Sequence, residues 1–374
     1  MDTAKVISLN VKRIRASRGM TQTAAAEAVG ISRQAFIDIE NGKTKEPRVS
    51  NLQAIADIFD VSILDLMAEP PKLSTVRFRS NSIKTEKDKA KKEQCLVDAA
   101  FWLNNFNFLQ SAVGEKKEYK LKSVLSEIFK TKTNRPVVAA ELVRIALGLK
   151  EDEPIGDIIG LMESAGIKLK LRSFDLKNFF GFSISESDGG PAIMVNNCKD
   201  INIERQIFTV AHELGHLIMH PQAYDPVKTK ESDNEELDAN IFASHFLMPQ
   251  KTFKKKLDES YGLGYVDRIL HIKRVFRVSY LTVLRRIADM KISEVGTLIT
   301  KFSVMYKKQY GGNLANHKEP FGLDKLDVVE DYLNTLVRKA LDKEEITVSR
   351  AAEILNVPLM DMREIINSWA DIAA

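Results

Sequence analysis

The sequence predicts a mainly α-helical protein with one small β-sheet, an α+β class. It should comprise an all-helical N-terminal domain, a middle domain containing the sheet, and a helical C-terminal region. Three observations predict this. Apolar residues recur at helical spacing through residues 1–68 and again from 203 onward, each run stopped by Gly, Asn or Pro. Alternation with a period of two is confined to residues 167–195. Three of the six histidines fall between 212 and 220, inside one of the helical runs.

Bulk composition sets the outer limits. A chain of 374 residues can hold two or three domains with real cores. Its 44% apolar and 28% charged residues are ordinary for a soluble globular protein. A net charge of +4 argues neither for nor against nucleic acid, so any basic surface must be local. Cys95 and Cys198 cannot build a disulfide framework, which suits a reducing cytoplasm. The opening MDTAKVISLN has no long apolar stretch, so no signal peptide is expected. No apolar run approaches the length of a membrane span, so a cytoplasmic location without a membrane partner is expected.

In the N-terminal domain, Leu9, Val11 and Ile14 share a helical face that Gly19 closes. Thr21 starts an alanine-rich helix that stops at Gly30. Ser32 caps the next helix, which ends at Asn41–Gly42. Residues 51–59 and 63–67 give two more short amphipathic stretches, and Pro70–Pro71 closes the domain. Residues 71–94 carry eight Lys or Arg against three acids with little apolar periodicity, which reads as a basic linker, with a phosphate-contacting arm as the alternative. Residues 96–109 and 137–149 are predicted helices, the second with Pro136 near its start. Predicted strands follow at 167–171, 180–184 and 192–195, the last two joined at Gly189–Gly190. Helices are then predicted at 203–220, stopped by Pro221, and at 235–248, stopped by Pro249. Residues 275–290 and 346–365 have the rhythm of helix-turn-helix units.

The run Ala211-His-Glu-Leu-Gly-His216 contains H-E-x-x-H. On a helix, positions i and i+4 share a face, so His212 and His216 can reach one Zn²⁺. Glu213 between them can act as general base toward a water that the metal activates. A third protein ligand is needed, and the next helix offers Glu235, Glu236 and Asp238. Glu236 is favoured, with Asn240 one turn further on the same face to hydrogen-bond a ligand; Glu235 and Asp238 stay open. His220 is expected to stand behind the ligands or at the surface, and His245, His271 and His317 to be bystanders.

These residues carry a resemblance. The run from Arg205 to His216, then Glu236-Leu-Asp-Ala-Asn240, then Phe246-Leu-Met-Pro249, resembles the ImmA/IrrE family of metallopeptidases over roughly residues 150–290. Pro154-Ile155 and the strands before the motif also fit. The resemblance implies a small zincin-like domain and, as substrate, a protein such as a repressor. One departure is Asp238, where many relatives have Glu.

Residues 21–42 form a helix, a tight turn and a second helix. Ala25 and Ala26 allow close approach, while Ile31, Phe36 and Ile39 supply core. Ser32, Arg33 and Gln34 then lie at the start of a recognition helix, where they can read base edges of double-stranded DNA. Gln22 and Lys43 are placed to hold phosphates. Residues 1–68 have nine Lys or Arg against eight acids, so the DNA face must be locally basic, through Arg13, Arg15, Arg18, Arg33 and Lys43. Residues 5–67 resemble the Xre, or lambda-repressor-like, helix-turn-helix family, including the close at Glu40-Asn-Gly-Lys43. The segment 346–357 resembles a tail often found in such fusions. Packing or dimerisation is the better reading of it, so a homodimer is a candidate assembly.

The expected organisation is a DNA-binding domain at 1–68, a basic linker at 69–94 and a helical connecting region at 95–150. A zincin-like domain at 151–292 and a helical region at 293–374 complete it. Two functions fit: a DNA-binding regulator that is also a zinc endopeptidase, or a non-catalytic regulator whose zinc domain senses or scaffolds. Glu213 favours the first, because a purely structural site needs the ligands without the base.

Overall fold

The structure is a computed structural model that describes residues 2–69, 71–74, 76–77, 86–174, 176, 178–224, 233–312, 314 and 319–371. Residues 78–85 of the expected linker, residues 230–232 and His317 lie outside the described residues. In chain order the N-terminal helices are α1 (Thr3–Ser17), α2 (Gln22–Val29), α3 (Arg33–Glu40), α4 (Val49–Phe59) and α5 (Ile63–Met67). Strand β1 (Val76–Arg77) and the long α6 (Glu86–Val113) follow, then α7 (Leu125–Lys130), α8 (Arg135–Ala146) and α9 (Ile158–Ser164). The sheet is completed by β2 (Lys168–Arg172), β3 (Gly181–Ile184) and β4 (Ala192–Asn196). After it come α10 (Ile203–Met219), α11 (Asp233–Leu247), α12 (Gln250–Glu259), α13 (Tyr265–Phe276), α14 (Tyr280–Asp289) and α15 (Val295–Tyr310). The last helices are α16 (Tyr332–Asp342), α17 (Val348–Leu355) and α18 (Leu359–Asp371). The mainly helical α+β class is thus the one observed. Among the described residues no helix is long and apolar enough to cross a membrane.

The chain forms two compact units. One gathers residues 1–72, 96–116 and 331–374; the other gathers 73–95 and 117–330. In the first unit the turn chemistry acts as the sequence predicts. The Thr21 and Ser32 side chains accept from the amides of Ala24 and Ala35, each at 3.1 Å, capping α2 and α3. Gly30, at φ 75°, ends α2 in the left-handed conformation that a side chain would oppose. Ala25, Ala26, Phe36, Ile39, Ile55 and Phe59 bury into one core.

Residues 293–374 do not stay together as the sequence predicts. Residues 331–374 join the first unit, and so do residues 96–116 of the expected connecting region. The reasons are specific contacts. Glu353 of α17 pairs with Arg13 of α1 at 2.5 Å and with Arg350 at 2.6 Å. Tyr332 packs edge-on against Phe106, with ring centroids 5.7 Å apart, and donates its hydroxyl to the Glu115 carbonyl at 2.9 Å. Packing is therefore what the C-terminal helices do here.

The second unit holds the sheet, in the order β1-β3-β4-β2. β3 and β4 form the expected hairpin, with Gly181 opposite Val195. β2 lies parallel to β4, with Lys168 opposite Ala192, and helix α10 packs on the sheet. Ile193, Val195, Val210, Leu214, Phe242 and Phe246 knit sheet, α10 and α11 into one core. The stretch read as a linker differs from expectation. Its Val76–Arg77 is a strand that extends the sheet, pairing antiparallel with β3, and residues from 86 onward are helical.

Candidate metal centre and recognition helix

Asn202 caps α10, its side chain accepting from the Arg205 amide at 2.8 Å. The helix then runs unbroken through the H-E-x-x-H residues. One turn separates His212 from His216, and their Nε2 atoms face each other at 3.0 Å. α11 brings Glu236 to the same point, with carboxylate oxygens 3.5 Å from His212 Nε2 and 3.4 Å from His216 Nε2. Gly215 makes that approach possible: a Cβ there would meet a ring carbon of Phe242 at 2.9 Å and the Ala239 Cα at 3.4 Å. Among the described residues, His212, His216 and Glu236 are the group of side chains able to hold a metal. Three ligand atoms at roughly 2.0–2.1 Å from one tetrahedral ion would stand about 3.3 Å apart. The observed separations match that arrangement.

Asn240 lies where expected, its Oδ1 accepting from His212 Nδ1 at 3.1 Å. The two alternative acids lie elsewhere. Glu235 approaches Arg77 at 3.7 Å, and Asp238 approaches His220 at 3.9 Å. Glu213 is buried and points toward β3, accepting a hydrogen bond from Ser183 Oγ at 2.6 Å. Ser183 also bonds the Tyr224 hydroxyl at 2.7 Å. Burial pushes the Glu213 carboxyl up, against the pull of His212, Ser183 and Arg77. Burial likewise drives His216 well below its usual value, keeping it neutral, the form that ligates metal. For Glu236, burial opposes ionisation, but hydrogen bonds from His212 and His216 outweigh it. Its carboxyl stays well below the usual range.

Sequence reasoning missed three contributors, Arg77, Ser183 and Tyr224, and left His220 open between a place behind the ligands and the surface. His220 is buried rather than at the surface, its Nδ1 2.9 Å from His216 Nδ1, and burial lowers its pKa to about 3. Arg77 is buried and donates to Glu236 Oε1 at 3.0 Å, and it also touches His216 Nδ1. A guanidinium can only donate. With His216 Nε2 turned to a metal, the Nδ1 proton would go to His220 and Arg77 would be left with Glu236. Ser183 and Tyr224 complete the set. None of these three stands at a spacing from the motif that signals its role, whereas His220 lies one turn beyond His216. His245 is held by Arg286 at 2.7 Å.

In the other unit, Ser32, Arg33 and Gln34 stand exposed at the start of α3, and Lys43 is exposed just past its end. The Ser32 hydroxyl is committed to its cap. Gln34 donates to Asp38 at 2.9 Å, and Lys43 lies 3.9 Å from the same carboxylate. Gln22 bonds Glu40. The basic residues expected on α1 have partners within this unit: Arg13 pairs with Glu353, Arg15 with Glu40 at 2.7 Å, and Arg18 donates to the Phe59 carbonyl at 2.7 Å. Internal acceptors have taken these three guanidinium groups, leaving Arg33 and Lys43 as the exposed cations of the predicted face.

Residues 162–288 match a peptidase family described as IrrE N-terminal-like domain. Residues 11–66 match the family described as helix-turn-helix. Both domains are found in this chain. No curated protein matches it significantly.

Proposed function

We propose that this protein is a DNA-binding transcriptional regulator whose peptidase-family domain is a zinc-dependent endopeptidase acting on a protein substrate such as a repressor. The observation that carries the reading is the convergence of His212, His216 and Glu236 with Glu213 beside them. Two imidazoles and one carboxylate are the donor set of a catalytic rather than a structural zinc site, since one position is left for water. When bound there, zinc supplies Lewis acidity, activating a water molecule and polarising a peptide carbonyl. Asn240 fixes the His212 ring, and His220 faces the far nitrogen of His216. Glu213 accepts the proton of the attacking water and passes it to the leaving amine. Ser183 steadies that carboxylate, and burial raises its proton affinity, which suits a group that must both take and return a proton.

On the DNA side, Arg33 reads guanine and Gln34 adenine in the major groove, while Gln22 and Lys43 hold phosphates. The Ser32 hydroxyl caps the helix that presents them.

The test of this reading is metal analysis of the purified full chain. It should carry about one zinc, and His212→Ala with His216→Ala should remove it. Stoichiometric zinc in the double variant would overturn the assignment.

A further inference from the structure

Strand β1 is two residues long, comes from outside the matched peptidase segment, and delivers one buried side chain into the metal centre. We propose that Arg77 is a positioning residue for that centre, so that the site is completed by a part of the chain 85 residues before the matched domain begins. The inference rests on the zinc reading above and deepens it.

The register of the sheet explains how. Arg77 lies opposite Ser183 in the antiparallel β1–β3 pair. Opposite residues of such a pair project to the same face. From that face Ser183 reaches Glu213 at 2.6 Å and Arg77 reaches Glu236 at 3.0 Å. One rung of the ladder therefore holds both the proposed base and the proposed third ligand. Ser74 secures the start of the strand, donating its hydroxyl to Asp188 at 2.8 Å. The Arg77 side chain is only 5% exposed. A guanidinium that deeply buried needs carboxylate partners, and Glu236 and Glu235 provide them. With Oε1 of Glu236 held by Arg77, the carboxylate is fixed in rotation and Oε2 stays turned toward His212 Nε2. Hydrogen bonds of this kind to a ligating carboxylate set metal affinity.

A purely structural arginine would stabilise the strand without affecting the metal, and the test separates the two. Zinc affinity of the full chain is measured by competition with a chelator, and the ligand geometry by the visible absorption of the Co²⁺-loaded protein. Arg77→Ala should lower zinc affinity roughly 10–100-fold and shift the Co²⁺ bands. Arg77→Lys should recover part of the affinity, since an ammonium restores the charge but not the fork of donors. Should Arg77→Ala not fold, Arg77→Lys alone must still show weaker binding and shifted bands than wild type. A variant with a lower melting temperature but wild-type zinc affinity and Co²⁺ spectrum would overturn the proposal while leaving the zinc reading intact. A wild-type chain that binds neither metal would overturn both.

Discussion

Glu236 is one of three acids within four residues of α11, and geometry separates them. Its carboxylate stands within 3.5 Å of both Nε2 atoms, whereas Asp238 is half-exposed and faces His220. Glu236→Ala should therefore strip the metal, and Asp238→Ala should leave zinc content close to wild type. Equilibrium dialysis against zinc checks this, and the reverse pattern would move the ligand half a turn along the helix. The residues read from the sequence, His212, Glu213, His216 and Asn240, are assigned their proposed roles by spacing within a helix, which primary structure records directly. Arg77 is 139 residues from His216, and Ser183 is 30 from Glu213. Their roles depend on how strands pair across the sheet, and a two-residue strand has no periodicity to reveal it.

At the scale of elements, α3 and α17 make separate predictions. The exposed start of α3 should carry base discrimination. Arg33→Ala and Gln34→Ala should each cost about 1–3 kcal/mol at a specific site and relax base preference. Lys43→Ala should weaken binding to all sequences alike. Gln34 must give up its bond to Asp38 to reach a base, so its loss should sit at the low end of that range. Fluorescence anisotropy on matched and mismatched duplexes measures both effects. For α17 the key group is Glu353. Burial opposes its ionisation, but Arg13 and Arg350 outweigh burial and hold its carboxyl below the usual range. A depressed carboxyl contributes stability that is present above its unfolded value and lost as pH falls through the folded one. Glu353→Gln should thus lower stability by about 1.5–3 kcal/mol near pH 7, the range for hydrogen bonds to charged groups. The two proteins should converge as pH drops below about 4.5, the ordinary carboxyl value. Chemical denaturation at pH 7 and pH 4 tests it; an equal difference at both would show that the ion pairs carry none of the effect. The helices themselves were readable from caps and stops such as Thr21, Gly30 and Ser32. Their partners were not, because Arg13 looks like a DNA-facing cation until Glu353, 340 residues away, is seen beside it.

At the scale of the whole molecule, one chain is proposed to combine DNA recognition with peptide-bond hydrolysis. The all-helical N-terminal domain and the sheet-bearing domain were both legible from periodicity. The parallel pairing of β2 with β4 and the grouping of residues 331–374 with the N-terminal unit depend on long-range packing. Sequence spacing carries no trace of either. The measurement that bears most directly on function is the Glu213→Gln variant, assayed for zinc content, DNA binding and cleavage of candidate repressor proteins. Glutamine can still accept the Ser183 hydrogen bond but cannot take a proton from water. Zinc content and DNA affinity should match wild type, with cleavage and any derepression that depends on it abolished. Cells carrying Glu213→Gln that respond to the inducing signal as wild type does would rule out peptide hydrolysis as the working step, and would make the zinc domain a sensor or scaffold.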